Sequence, residues 1–242
     1  MLMIPKGVFE MNNKMYSLIA GSLFATSFVF MPATTSAEDA ILTGNAGILS
    51  DYIYRGIPQD TGVGNGGLDL EYAGFYLGTW IADVGDGVEY DLYGGYIYEF
   101  ENGYYLGAGY TSYQYSDDFD DEYNEINLYT GGSVGDVSLD IEYSIGEYNG
   151  DFGDGNGGIE GDEYTFLAGT IGYNGAFLKY ADFGDDADDD FGHYFEVGYT
   201  MELAGFEVTG ALVHTSDADV LGTDDDDETE AYVSISWGFD VL

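Results

Sequence analysis

The fold class this sequence predicts is all-β: an antiparallel transmembrane up-and-down β-barrel of about 12 strands, with short periplasmic turns and long acidic extracellular loops. Three observations predict it. Side chains alternate between apolar and polar over segments of about ten residues, the spacing of half-buried strands. The breaks between segments are alternately short and long. Glycine (38), tyrosine (24) and phenylalanine (15) abound while proline (3) is scarce and cysteine absent, a composition suited to strands and tight turns rather than helices.

Twelve alternating segments are read at 42–56, 66–72, 74–84, 88–100, 103–115, 123–133, 136–146, 162–173, 176–183, 192–203, 205–215 and 229–242. In the fourth, Val88, Tyr90, Leu92, Tyr96 and Tyr98 share one parity and Glu89, Asp91, Tyr93 and Glu99 the other. In the seventh, Val137, Leu139, Ile141, Tyr143 and Ile145 oppose Ser138, Asp140, Glu142 and Ser144. In the last, Val233, Ile235, Trp237 and Phe239 oppose Tyr232, Ser234 and Ser236.

Glu101-Asn102-Gly103, Gly135-Asp136, Tyr173-Asn174-Gly175 and Ala204-Gly205 read as tight turns, the Asn-Gly pairs suiting type I′ hairpins. Acidic loops near 116–122, 147–161, 184–191 and 216–228 alternate with them. An even strand count with first and last strands able to pair leaves no open edge. A secreted β-sandwich also alternates; aromatic residues near strand ends and the aromatic closing strand favour the barrel.

Residues 38–242 are the expected barrel. Ahead of them, 11–37 read as a secretory signal peptide: Lys14 near its start, an apolar run from Met15 to Met31, then Ala33-Thr34-Thr35-Ser36-Ala37 as the small-residue cleavage site. Residues 1–10 read as an upstream mis-start before Met11. The expected location is the outer membrane, with its lipid and the barrel-assembly machinery as partners and a monomer as the assembly.

Forty-six acidic residues face four basic ones, a formal net charge of −42. Such a chain cannot neutralise phosphates, which excludes nucleic-acid binding. It also suits a salty, halophile-like setting, where the Debye length shrinks to roughly 3 Å at 1 M. Beyond the signal, Arg55 and Lys179 are the only basic residues.

Ser50-Asp51-Tyr52-x-Tyr54-Arg55-Gly56-Ile57-x-Gln59 resembles the opening motif of the proteobacterial porins called the TorF family. Gly74-Phe75-Tyr76-x-Gly78-x-Trp80 and Glu89-x-Asp91-x-Tyr93-x-Gly95-Tyr96 resemble its next blocks, and Val233-Ser234-Ile235-Ser236 with Phe239 its closing strand. The resemblance implies an outer-membrane barrel and a pore. The chain departs from the family in its acidic loops and its dearth of basic residues, which argues against an anion-preferring role.

No enzymatic constellation stands out, and no enzyme is expected. Ser133 carries the letters of a Gly-x-Ser-x-Gly motif (Gly131 to Gly135) but ends an alternating strand ahead of a tight turn rather than sitting on a strand-to-helix elbow, and His193 and His214 fall on apolar parity, where packing is the expected role. The acidic loops at 185–190, 224–228 and 151–158 offer hard oxygens without the register of an EF-hand. No cofactor is expected beyond loosely bound divalent cations there.

The polar parity of a barrel faces its lumen. Asp51, Arg55, Glu89, Asp91, Asp140, Glu142, Lys179 and Glu196 fall on it and are the expected pore-lining residues. Arg55 is expected to bridge to Asp51, Glu89 or Asp91. Twelve strands about 4.8 Å apart and tilted about 40° enclose a backbone radius near ~12 Å, room for ions and small solutes once side chains are added. A cation-preferring diffusion channel is the expected function. The alternatives are a closed structural or binding barrel whose acidic loops meet divalent cations or a partner, and a soluble secreted β-protein.

Overall fold

A computed structural model describes residues 40–117, 119–149, 162–185, 190–216 and 227–242. The signal-peptide and mis-start readings, and most of the acidic loops at 151–158, 185–190 and 224–228, lie outside these residues or on side chains beyond them.

Twelve antiparallel strands close into one barrel, each paired with its sequence neighbour and β1 with β12. They are β1 (Ile41–Tyr54), β2 (Ile57–Tyr72), β3 (Phe75–Asp83), β4 (Val88–Glu99), β5 (Tyr105–Tyr115), β6 (Tyr123–Val134), β7 (Val137–Tyr148), β8 (Asp162–Tyr173), β9 (Ala176–Asp185), β10 (Asp190–Leu203), β11 (Phe206–Ser216) and β12 (Glu228–Asp240). Closure joins Thr43 through Leu49 to Asp240 through Ser234, so the wall has no free edge.

Period-two alternation positions the side chains. Leu92, Ile126, Leu128, Ile145, Ile171 and Leu212 point outward and are exposed, whereas Asp91, Glu125, Asn127, Ser144, Glu142 and Thr209 point inward and are buried. The outer face is therefore apolar, while the interior holds buried charged and polar side chains beside two apolar clusters. Trp237 and Phe239 meet at 4.9 Å with their rings tilted near one rim, and Phe75 meets Tyr96 at 4.7 Å.

At one end the connections are tight. Ala73-Gly74, Asn174-Gly175 and Ala204-Gly205 all take positive φ, as a two-residue type I′ hairpin requires. At the other end lie the long acidic connections and also two short ones, Arg55-Gly56 and the turn between β3 and β4. The segment 57–65, which lies between the alternating segments 42–56 and 66–72 read from sequence, is instead the first half of β2. It is extended because β1 supplies a partner along its whole length, from Ile41↔Glu71 to Tyr54↔Ile57.

That added length does not belong to the wall. β1 pairs with β12 only as far as Leu49, and β2 pairs with β3 only from Asn65 onward. Residues 50–62 pair only across the hairpin, so its tip leaves both neighbours. A bulge between Tyr52 and Ile53 bends it, and Gly62 takes φ +72° on the opposite strand. Pro58 removes no wall bond there, since no third strand lies alongside. Where β1 departs, the Ser50 hydroxyl accepts from the Val233 backbone N–H at 2.8 Å.

Candidate functional site

The hairpin tip turns into the lumen and crosses it, in the half nearer the long loops. Tyr52 faces β3 and β4: its ring meets Trp80 edge-on at 5.6 Å and its hydroxyl donates to Glu89 at 2.9 Å. Ile53 faces the other way, packed among Phe166, Ala168, Ala181, Tyr194 and Val213. The Thr215 hydroxyl on β11 donates to the Gly56 carbonyl at 2.8 Å. A Cβ on Gly56 would lie 2.9–3.0 Å from Thr215 and Tyr194, and its φ is +87°; glycine is required there on both counts.

Arg55, at the tip, is 2% exposed. Its guanidinium forks onto Glu125 of β6 (Nη1 to Oε1, and Nη2 to Oε2 at 2.9 Å) and reaches Glu142 of β7 at 3.1 Å. It also lies 3.9 Å from the ring centroid of Phe166 on β8. Fork-on-carboxylate geometry with a cation over a ring is the strongest arrangement open to an arginine. The carboxylate is held independently as well: Tyr164 donates to Glu125 at 2.7 Å and Asn127 at 2.8 Å, while Ser144 donates to Glu142 at 3.1 Å. The expected bridge from Arg55 to Asp51, Glu89 or Asp91 is corrected by this geometry. The hairpin carries Arg55 away from β1's own neighbours to strands 70 and 87 positions along the chain.

The other sequence-identified residues fall as follows. Glu89 and Asp91 are buried on the inward face of β4, with Glu89 bonded to the hairpin. Each keeps one buried carboxylate oxygen without a hydrogen-bond partner. Glu142 and Glu196 are inward and buried, Glu196 accepting from Tyr232 at 2.6 Å. Lys179, fully buried, stands opposite Glu196 in the ladder and 5.5 Å from the Tyr194 ring centroid. Asp140 is half-buried toward the turn end and accepts from Tyr105 at 2.8 Å. Asp51 is half-buried within the hairpin, opposite Thr61.

Glu125 was not singled out from sequence. Its signal is the alternation in Glu125-Ile126-Asn127-Leu128, which sets it on the inward parity with Asn127. His193 packs against Tyr180 and Phe195, and His214 is an exposed outward residue sharing a hydrogen bond with Thr229 at 2.8 Å; neither enters the lumen.

A bacterial family of unknown function, Gcw_chp, matches residues 33–239. The chain belongs to this family. No curated protein matches the sequence. Among solved structures, this Gcw_chp barrel is similar to a KdgM porin, with a TM-score of 0.57 and 12% identity over 81% of this chain and 99% of that one. It is also similar to the COG4313 outer membrane channel from Pseudomonas putida F1, with a TM-score of 0.51 and 13% identity over 87% of this chain and 99% of that one. At such identities the likeness is one of fold: a closed antiparallel barrel of the kind outer-membrane porins use.

Proposed function

We propose that this Gcw_chp chain is an outer-membrane channel for small solutes that prefers cations, narrowed by its own β1–β2 hairpin. The observation that carries the reading is the inversion of the closed wall. A belt of exposed Leu, Ile, Val and aromatic side chains lies outside, and ionisable side chains lie inside. A continuous apolar exterior is stable in a bilayer, where closure satisfies every wall amide. Similarity to the KdgM porin and the COG4313 channel, and the TorF-like motifs at residues 50–59 and 74–96, support the same reading. In it, residues 11–37 direct secretion, and the assembly machinery reads the closing strand.

Cation preference follows from the lumen charge. Glu89, Asp91, Glu125, Asp140, Glu142 and Glu196 face inward against Arg55 and Lys179, and rings of carboxylates favour cations. Asp51 lines the hairpin itself. A second reading, a closed binding or structural barrel, is favoured by one observation: Arg55, Lys179 and Phe166 are between 0 and 2% exposed where the hairpin crosses.

Refolded protein, first shown to be a folded barrel by a heat-modifiable gel shift, separates the two in a planar bilayer under a KCl gradient. Discrete openings with a cation-selective reversal potential are expected. Neutralising Glu89 and Asp91 together should then reduce that selectivity. A folded barrel silent at every voltage would favour the closed reading.

A further inference from the structure

We infer that Glu125, Glu142 and Phe166 form a lumen binding site for a guanidinium or primary ammonium group, and that Arg55 is its tethered occupant. The site is built on the wall, from three adjacent strands: β6, β7 and β8. The occupant comes from elsewhere, on a hairpin detached from the wall on both sides. Two carboxylates and a ring face at 3.9 Å make an arrangement that takes a cation, a planar guanidinium above an ammonium.

The orientation of the site does not depend on its occupant. Tyr164, Asn127 and, at 3.3 Å, Tyr113 donate to Glu125, and Ser144 donates to Glu142. Those donors sit on the wall strands β5 to β8, and they remain when the hairpin moves. The occupant, by contrast, is imperfectly served: Arg55 Nε is buried without a hydrogen-bond partner, and the residue holds φ 47°, a backbone region unfavourable for a side chain. A tether of this length supplies its own cation at an effective concentration on the order of millimolar. A solute bearing a guanidinium or ammonium group competes with Arg55 for the carboxylates, and its capture coincides with release of the hairpin from the lumen.

The test is chemical rescue of Arg55→Ala, a substitution the turn can hold because Ala73 and Ala204 already take φ 51° and 56° in this chain. The thermal midpoint of the heat-modifiable gel shift is read with and without about 10 mM guanidinium chloride, a concentration chosen against the millimolar tether, with equal NaCl as control. The expected result is a lowered midpoint for Arg55→Ala that guanidinium, and not NaCl, restores. The double variant Arg55→Ala with Glu125→Gln should not respond, and wild type, whose site Arg55 already fills, should respond less than Arg55→Ala. Equal shifts in wild type and Arg55→Ala, or no shift in either, would overturn the site.

If Arg55→Ala does not fold, the same titration is made on a variant with Asn-Gly in place of residues 50–62. That change keeps every β1–β12 and β2–β3 pair and closes on the existing pair Leu49↔Val63. Conductance is recorded in parallel, and only that arm rests on the channel reading. A guanidinium-dependent midpoint without conductance in any variant keeps the site and removes the channel. Conductance in Arg55→Ala that guanidinium does not block, with no midpoint shift, removes the site and keeps the channel.

Discussion

Arg55 combines a left-handed backbone with a buried charge, two features that seldom coincide on one residue. The first central position of a type I′ turn favours Asn, Asp or Gly; arginine persists here because its side chain is held from three strands. Arg55→Asn therefore separates the two contributions. It improves the turn and abandons Glu125 and Glu142, both buried. Breaking a buried pair by removing one partner costs about 3–5 kcal/mol, far above any gain in the turn. The expected outcome is a lower midpoint of urea unfolding in lipid vesicles; an unchanged midpoint would mean that the ion pair contributes nothing net.

At the scale of elements, the β1–β2 hairpin differs from every other pair. Wall strands pair on two sides, whereas residues 50–62 pair only across the hairpin. A two-stranded ribbon is marginal by itself, and this one is kept by its bonds to the wall: Tyr52 to Glu89, Arg55 to Glu125, and the Gly56 carbonyl accepting from Thr215. Amides of residues 57–64 should accordingly exchange with solvent ahead of those of β6 and β7, since local opening follows local stability. Hydrogen exchange resolved by mass spectrometry checks this. Equal protection across the hairpin and the wall would mean that the tip opens only when the barrel unfolds.

For the molecule as a whole, both cations beyond residue 37 lie inside the barrel, where they offset part of the lumen's negative charge. The outward belt is left free of them. A lysine placed on that belt tests the bilayer setting. Ile141→Lys, mid-strand and outward, should cost about 2–4 kcal/mol in vesicles, against about 0–1 kcal/mol for Val134→Lys beside the β6–β7 turn. Equal costs at the two positions, measured by denaturant unfolding, would argue against a membrane-spanning wall.

Strand identity, the facing of side chains and closure were legible in the sequence, because a period of two is a local property that each segment carries by itself. It correctly set Val137 to Ile145 outward, placed Glu89 and Glu142 inward, and anticipated the pairing of the first and last strands. The hairpin was not legible. Residues 57–65 fall between two alternating segments, and parity states which face a residue takes, not whether its strand remains in the wall. Nor does alternation along β1 say what Arg55 meets 70 and 87 residues later. Those partners are chosen only when the wall closes and the bulge after Tyr52 aims the tip at strands across the lumen.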